Sequence, residues 1–182
     1  MPNWCENRLT VSVPDTDYIS DLEAFIEKVR LKKTKDNASS AFSLQALLPI
    51  PQALEETVSQ VPNEEHDSKR NVALRKRYGS DNWYDWNNRN WGTKWDVEAY
   101  AESRTAPTSI KYNFDSAWAP PIEAIKKIAL LFPTLAFELE YCEPGMCFSG
   151  IFTANNDDYN DDYREGVVWP EFESEEDEEN AR

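Results

Sequence analysis

Residues 120–152, PPIEAIKKIALLFPTLAFELEYCEPGMCFSGIF, read in succession as helix, strand, turn and strand, and that reading decides the fold. Pro120-Pro121 opens the segment, because proline suits the first turn of a helix. Ile122, Ile125, Ile128, Ala129 and Phe132 then recur at helical spacing as one apolar stripe, and Pro133 ends it. From Leu135 the period falls to two. Leu135, Phe137, Leu139 and Tyr141 alternate with other residues, Glu143-Pro144-Gly145 turns the chain, and Met146, Phe148, Gly150 and Phe152 alternate again. A helix packed on an antiparallel hairpin follows.

The same two periods organise the chain upstream. Asn7–Val13 alternates, with Leu9, Val11 and Val13 on one face, and reads as a half-buried strand. Asp15 and Asp17 supply helix-start chemistry, and Tyr18, Leu22, Phe25, Ile26 and Val29 continue at helical spacing to about Lys33. After a polar loop, Phe42, Leu44 and Ala46 alternate as a second strand that Pro49 and Pro51 stop. Residues 52–80 read as a helical insertion that includes the basic residues Lys69, Arg70, Arg75, Lys76 and Arg77. Beyond a Trp-rich segment, Asp96–Glu102 and Ser109–Asp115 form a hairpin around Pro107. This order specifies an α+β, ferredoxin-like domain over residues 1–155, mostly antiparallel with helices on one sheet face, and with a helical, Trp-rich insertion over about 52–95.

Charge divides the chain differently. The net charge is −15, yet residues 155–182 hold 12 Asp+Glu against two Arg, leaving only a mild acidity for the body. Residues 156–182 therefore read as an acidic extension, in which residues 166–170 can add a strand. From about Glu173 it should be disordered, since like charges repel and no large apolar side chain remains. A chain this acidic is a poor direct ligand for nucleic acid, whose affinity for proteins comes from Lys and Arg releasing counterions. No apolar run approaches the roughly 18 residues of a spanning helix, and no basic start with an apolar run follows Met1, so membrane insertion and export are not expected. Three Cys fit reduced thiols in a cytoplasm.

Candidate chemistry concentrates in residues 82–96, NWYDWNNRNWGTKWD. Trp83, Trp86, Arg89, Trp91 and Trp95 interleave aromatic planes with hydrogen-bond donors, a pattern suited to stacking on bases or sugars. The competing reading packs the indoles over the sheet, with Trp83 and Trp86, and Trp91 and Trp95, each sharing a helix face. The acidic residues Asp157, Asp158, Asp161, Asp162, Glu171 and Glu173 are candidates for meeting a basic surface. No metal or cofactor is expected. His66 is the single histidine, Cys142 and Cys147 have no second pair, and Tyr163 and Trp169 stand where a calcium loop beginning at Asp158 needs Gly and Glu. With five Gly, none in a phosphate-loop pattern, and no nucleophile–base pair, an enzyme is not expected.

Several motifs carry a resemblance. They are the opening Met1-Pro2-Asn3-Trp4-Cys5-Glu6-Asn7-Arg8-Leu9-Thr10-Val11, Tyr78-Gly79 with the Trp segment, and Phe114-Asp115-Ser116-Ala117-Trp118-Ala119-Pro120-Pro121. Phe132-Pro133, Glu140-Tyr141 and Gly145-Met146 complete the set. In this order they resemble the YubB ferredoxin-like family, small proteins carried by bacterial plasmids and phages. The resemblance covers roughly residues 1–155 and implies a ferredoxin-like core and a mobile-element origin, with no catalytic residues to carry over. Together with the charge, it suggests a non-enzymatic binding protein that occludes a basic or nucleic-acid-binding site on a host protein, so inhibiting a host defence or function. The alternative is a nucleic-acid or nucleotide binding module using the Trp-rich segment and the sheet.

Overall fold

The computed structural model describes residues 2–31, 40–59 and 68–166. Six strands form one sheet: β1 (Trp4–Ser12), β2 (Ala99–Ala106), β3 (Ser109–Ala117), β4 (Ala136–Glu143), β5 (Phe148–Asn155) and β6 (Asp158–Glu165). Their spatial order is β2-β3-β1-β4-β5-β6, and every neighbouring pair is antiparallel. Helix α1 (Ile19–Val29) leaves β1, and α6 (Ile122–Leu131) connects β3 to β4. The first four strands with these two crossovers make the ferredoxin-like core, and β5 and β6 extend it by a hairpin and a further edge strand. Between α1 and β2 the chain inserts α2 (Leu44–Leu47), α3 (Gln52–Glu55), α4 (Lys69–Tyr78) and α5 (Trp83–Asn90).

The alternation fixes which face is buried. Leu9 sits opposite both Tyr112 and Leu139, and Leu139 sits opposite Phe152, so one apolar row crosses four strands. Leu22, Phe25, Ile26 and Val29 of α1 and Ala124, Ile125, Ile128 and Ala129 of α6 are buried against this face. Phe25 is the aromatic hub, in edge contact with Tyr112, Phe132 and Phe137 at centroid distances of 6.5, 5.2 and 5.7 Å. Edge geometry suits rings whose faces are negative and rims positive.

Three strands differ from the sequence reading. Phe42, Leu44 and Ala46 are not a strand: Leu44–Leu47 is a single helical turn, and among the described residues only Leu31 and Ser40 bridge beside it. Ser43 caps the turn, its side chain accepting from the Ala46 N–H, and Asp96 receives the Leu44 and Gln45 N–H groups. Those acceptors satisfy the free amides of a helix start, and a strand would have left them without that role. The sixth strand comes from the acidic run instead. Asp158–Glu165 pairs along all of β5, so the sheet runs past the boundary set at residue 155 by charge alone. Alternation rescues it: Tyr159 and Tyr163 turn to the helix side, stacked against Phe152 and tilted against Phe148 respectively. Val167–Pro170 and the expected disorder from Glu173 lie outside the described residues. The hairpin read as Asp96–Glu102 begins three residues later, at Ala99, and its pairing shifts between Ala99 and Ala101 and again near Arg104.

Two substitutions test the packing. A Cβ at Gly150 would collide with the Tyr141 hydroxyl end and lie 3.0 Å from the Asp162 carbonyl oxygen. Gly150→Ala should therefore open the β4–β5–β6 corner, lowering the thermal midpoint by several degrees, whereas an unchanged melt would refute the close packing. Trp91 is fully buried. Trp91→Ala should cost roughly 3–5 kcal/mol in a urea titration, the usual loss for a large core aromatic.

Candidate functional site, an aromatic cleft beside an acidic sheet

The Trp-rich segment is half scaffold and half surface. Helix α5 starts at Trp83 because the Asn82 side chain accepts from the Asp85 N–H at 2.9 Å. The Trp83 N–H donates to Thr57 Oγ1 at 3.0 Å, and that hydroxyl donates to the Leu54 carbonyl, so α5 is tied to α3. The helix stops at Asn90, and Trp91 follows as its C-cap before Gly92, which takes the left-handed backbone (φ 83°). Gly92 is required sterically as well, since a Cβ would press on the backbone at Pro120 and Glu123 at 3.3 Å.

This ending separates the indoles that the spacing grouped. Trp86 and Trp91 are buried and meet edge to face, their centroids 5.9 Å apart. Trp91 also donates its indole N–H to the Leu48 carbonyl at 3.0 Å. Trp83 is half-buried and packs edge-on against Tyr84. Trp95 lies beyond the helix, so it shares no helix face with Trp91; it is 39% exposed, with Trp4 at a centroid distance of 6.1 Å. Arg89 is exposed and donates to the Gly79 carbonyl at the end of α4.

Trp83, Trp91 and Trp95 nevertheless face one cleft of about 430 Å³, completed by Leu31, Gln45, Ile50, Glu55, Asn87 and Asp96. Its size falls in the range of small-ligand sites. Asp96 organises its rim. One carboxylate oxygen accepts from the N–H groups of Leu44, Gln45 and Val97, and the other accepts from the Ser43 hydroxyl at 2.6 Å. Burial of the carboxylate pushes its pKa up, and the four donors pull it back. Asn87 is 2% exposed; its Nδ2 donates to the Lys94 carbonyl at 2.8 Å, while its Oδ1 has no partner. Gln45, Ile50 and Glu55 were not singled out in the sequence, because they meet Asn87 and Asp96 of the Trp-rich segment only through the insertion's fold.

The acidic candidates lie elsewhere. Asp157 is exposed at the β5–β6 turn, and Asp158 and Asp162 project from β6 on the face away from the helices. Asp162 pairs with Arg164 at 2.5 Å. Asp161 points to the helix side instead and accepts from the Tyr141 hydroxyl at 2.7 Å, a bond that together with burial raises the pKa of Tyr141. Glu171, Glu173 and His66 are outside the described residues. On the face away from the helices, Glu6, Asp115, Glu138, Glu140, Asp158 and Asp162 outnumber Arg8, Lys111 and Arg164.

Other chemistry finds less support. Among the described residues, no three His, Cys, Asp or Glu side chains gather as a metal site. Asp158, Asn160 and Asp162 alternate along a strand rather than folding into a calcium loop. Cys5 is buried, and burial pushes its thiol pKa well up, opposite to what a nucleophile needs. Cys147 is exposed, with a left-handed backbone (φ 55°) in the β4–β5 turn. In the basic run, Arg75 pairs with Asp81, and Arg77 lies over the Tyr78 ring at 5.2 Å. No described helix is long and apolar enough to cross a membrane.

Comparison with known proteins agrees with this architecture. The crystal structure of a protein Api92 from Yersinia pseudotuberculosis superposes with a TM-score of 0.52, covering 93% of this chain and 100% of that one at 12% identity. A likeness at that identity speaks for the fold. No curated protein matches the chain. The family model described as the ferredoxin-like domain in Api92-like protein matches residues 90–182, from the end of α5 through the five remaining strands and beyond. With half of its residues under that model, the chain belongs to the Api92-like ferredoxin-like family.

Proposed function

We propose that this protein is a non-enzymatic binder that covers a basic, nucleic-acid-binding surface of a host protein, and that it is encoded by a plasmid or phage to block a host defence or function. The observation that carries the reading is the charge on the sheet face away from the helices, six acids against three bases. Asp158 and Asp162 of that face belong to residues 155–182, which hold 12 of the 34 Asp and Glu of the sequence. A sheet surface with a net negative charge attracts a partner of the other sign from a distance and disfavours nucleic acid. Electrostatic mimicry of a phosphate-rich ligand needs no catalytic group. The mobile-element origin rests on the motif resemblance to the YubB family, and a cytoplasmic setting accords with the free cysteines.

The test compares two partners at about 150 mM salt, where charge is felt over roughly 8 Å. A nuclease-treated host lysate should yield a basic partner whose association slows as salt rises, while its dissociation changes little. A single-stranded oligonucleotide should bind only weakly. Oligonucleotide binding near micromolar or tighter under these conditions would overturn the proposal in favour of a nucleic-acid module.

A further inference from the structure

We infer that the cleft between α3, α5 and Trp95-Asp96 takes the guanidinium group of an arginine side chain on the bound protein. The inference rests on the reading of the chain as a binder of basic protein surfaces, and it names the place where one residue of that surface is recognised.

Three features of the cleft point to a planar cation. Its aromatic lining is indole: Trp91 is buried while Trp83 and Trp95 keep accessible surface, and indole is the best side chain for holding a cation over its face. Its charged lining residues are Glu55 and Asp96, with no Lys or Arg among the lining residues. Neither carboxylate has a cationic partner among the described residues: Glu55 only accepts from the Gln45 side-chain amide at 3.4 Å, and Asp96 only accepts from neutral donors. The third feature is Asn87. Its amide nitrogen is committed to the Lys94 carbonyl, which fixes the orientation, and the Oδ1 is left as a buried acceptor without a donor. One further N–H would satisfy this buried acceptor.

Guanidinium meets all three demands at once. It is flat enough to lie against indole, sheds water more easily than ammonium, and carries five N–H donors in one plane for carboxylate and amide acceptors. An ammonium offers no plane to stack. A cation already lies beside Trp95: Lys94 Nζ is 4.6 Å from its ring centroid and 5.7 Å from that of Tyr84. An entering arginine therefore shares Trp95 with Lys94 or displaces it.

Fluorescence anisotropy on the full chain can test this with three labelled repeat peptides of the same length, arginine–glycine, citrulline–glycine and lysine–glycine. Citrulline keeps the shape of arginine without the charge. The arginine peptide should bind, with the citrulline peptide weaker by about tenfold or more and the lysine peptide in between. Glu55 is exposed, so Glu55→Gln should leave the melting curve unchanged while weakening the arginine peptide about tenfold. Lys94→Met should tighten it by removing the competitor. If Glu55→Gln and Trp95→Leu bind the arginine peptide as well as the parent does, the cleft is not the site; the inference falls, and the acidic sheet remains the binding surface. If the parent binds neither the arginine nor the lysine peptide, the broader reading falls with it.

Discussion

Everything in this molecule depends on β1 being paired along both of its edges. Nine residues from the start of the chain lie between β3, which is paired from Trp4 to Ser12, and β4, which is paired from Glu6 to Ser12. The partners are separated from β1 by roughly a hundred residues or more of sequence, so the sheet closes only after the insertion, β2, β3 and α6 have been laid down. The side chains follow from the pairing: once Leu9 and Val11 face the helices, register forces Tyr112, Phe137 and Leu139 to join them. A slip of one residue would turn this whole row to the other face, and the buried row is what forbids it. Asn7 reinforces the register from within, its Nδ2 donating to the Cys5 and Phe114 carbonyls and to Ser116 Oγ.

The insertion is held by a different kind of constraint. It has little apolar area of its own in α4, where Asn71 is the one buried residue. It is fastened by polar side chains reaching backbone groups: Asp96 to the start of α2, Thr57 to α5, Trp91 to Leu48, and Thr93 to the Ala117 carbonyl. Ties of this sort fix position while leaving a gap, and the aromatic cleft is that gap. A fully apolar junction would have closed over it.

The parts of the fold that could be read in the sequence are those where period alone decides. The α6 stripe, the β4–β5 hairpin around Pro144-Gly145 and the first strand, read at Asn7–Val13 and found at Trp4–Ser12, are each set by residues within a dozen positions of one another. Where the answer depended on a distant group, the reading failed. Phe42, Leu44 and Ala46 alternate well enough for a strand, but the Asp96 carboxylate, half a hundred residues on, holds Leu44 and Gln45 in a helical turn. Asp158–Glu165 looks like a charged tail until Tyr159 and Tyr163 are set beside Phe152 and Phe148. For the site, the Trp cluster was visible as a cluster, whereas its division into a buried pair and an exposed indole turned on where α5 ends. Glu55 and Gln45 carried no local signal at all, since an amide or a carboxylate becomes informative only once its neighbours fail to satisfy it.

The last strand bears on how copies of this chain treat each other. An open sheet ends in unpaired N–H and C=O groups, a template that a second sheet can extend without any designed contact. Here the exposed edge beyond β5 is written in aspartate: Asp158, Asp161 and Asp162, with Glu165 at its end. Two such edges brought to strand spacing, about 4.8 Å, would set carboxylates of one molecule against those of the next. Among the described residues the sheet thus ends in a repulsive edge. Crowding many copies together, as when a gene is read at high dosage, does not offer this edge a route to growth into fibres.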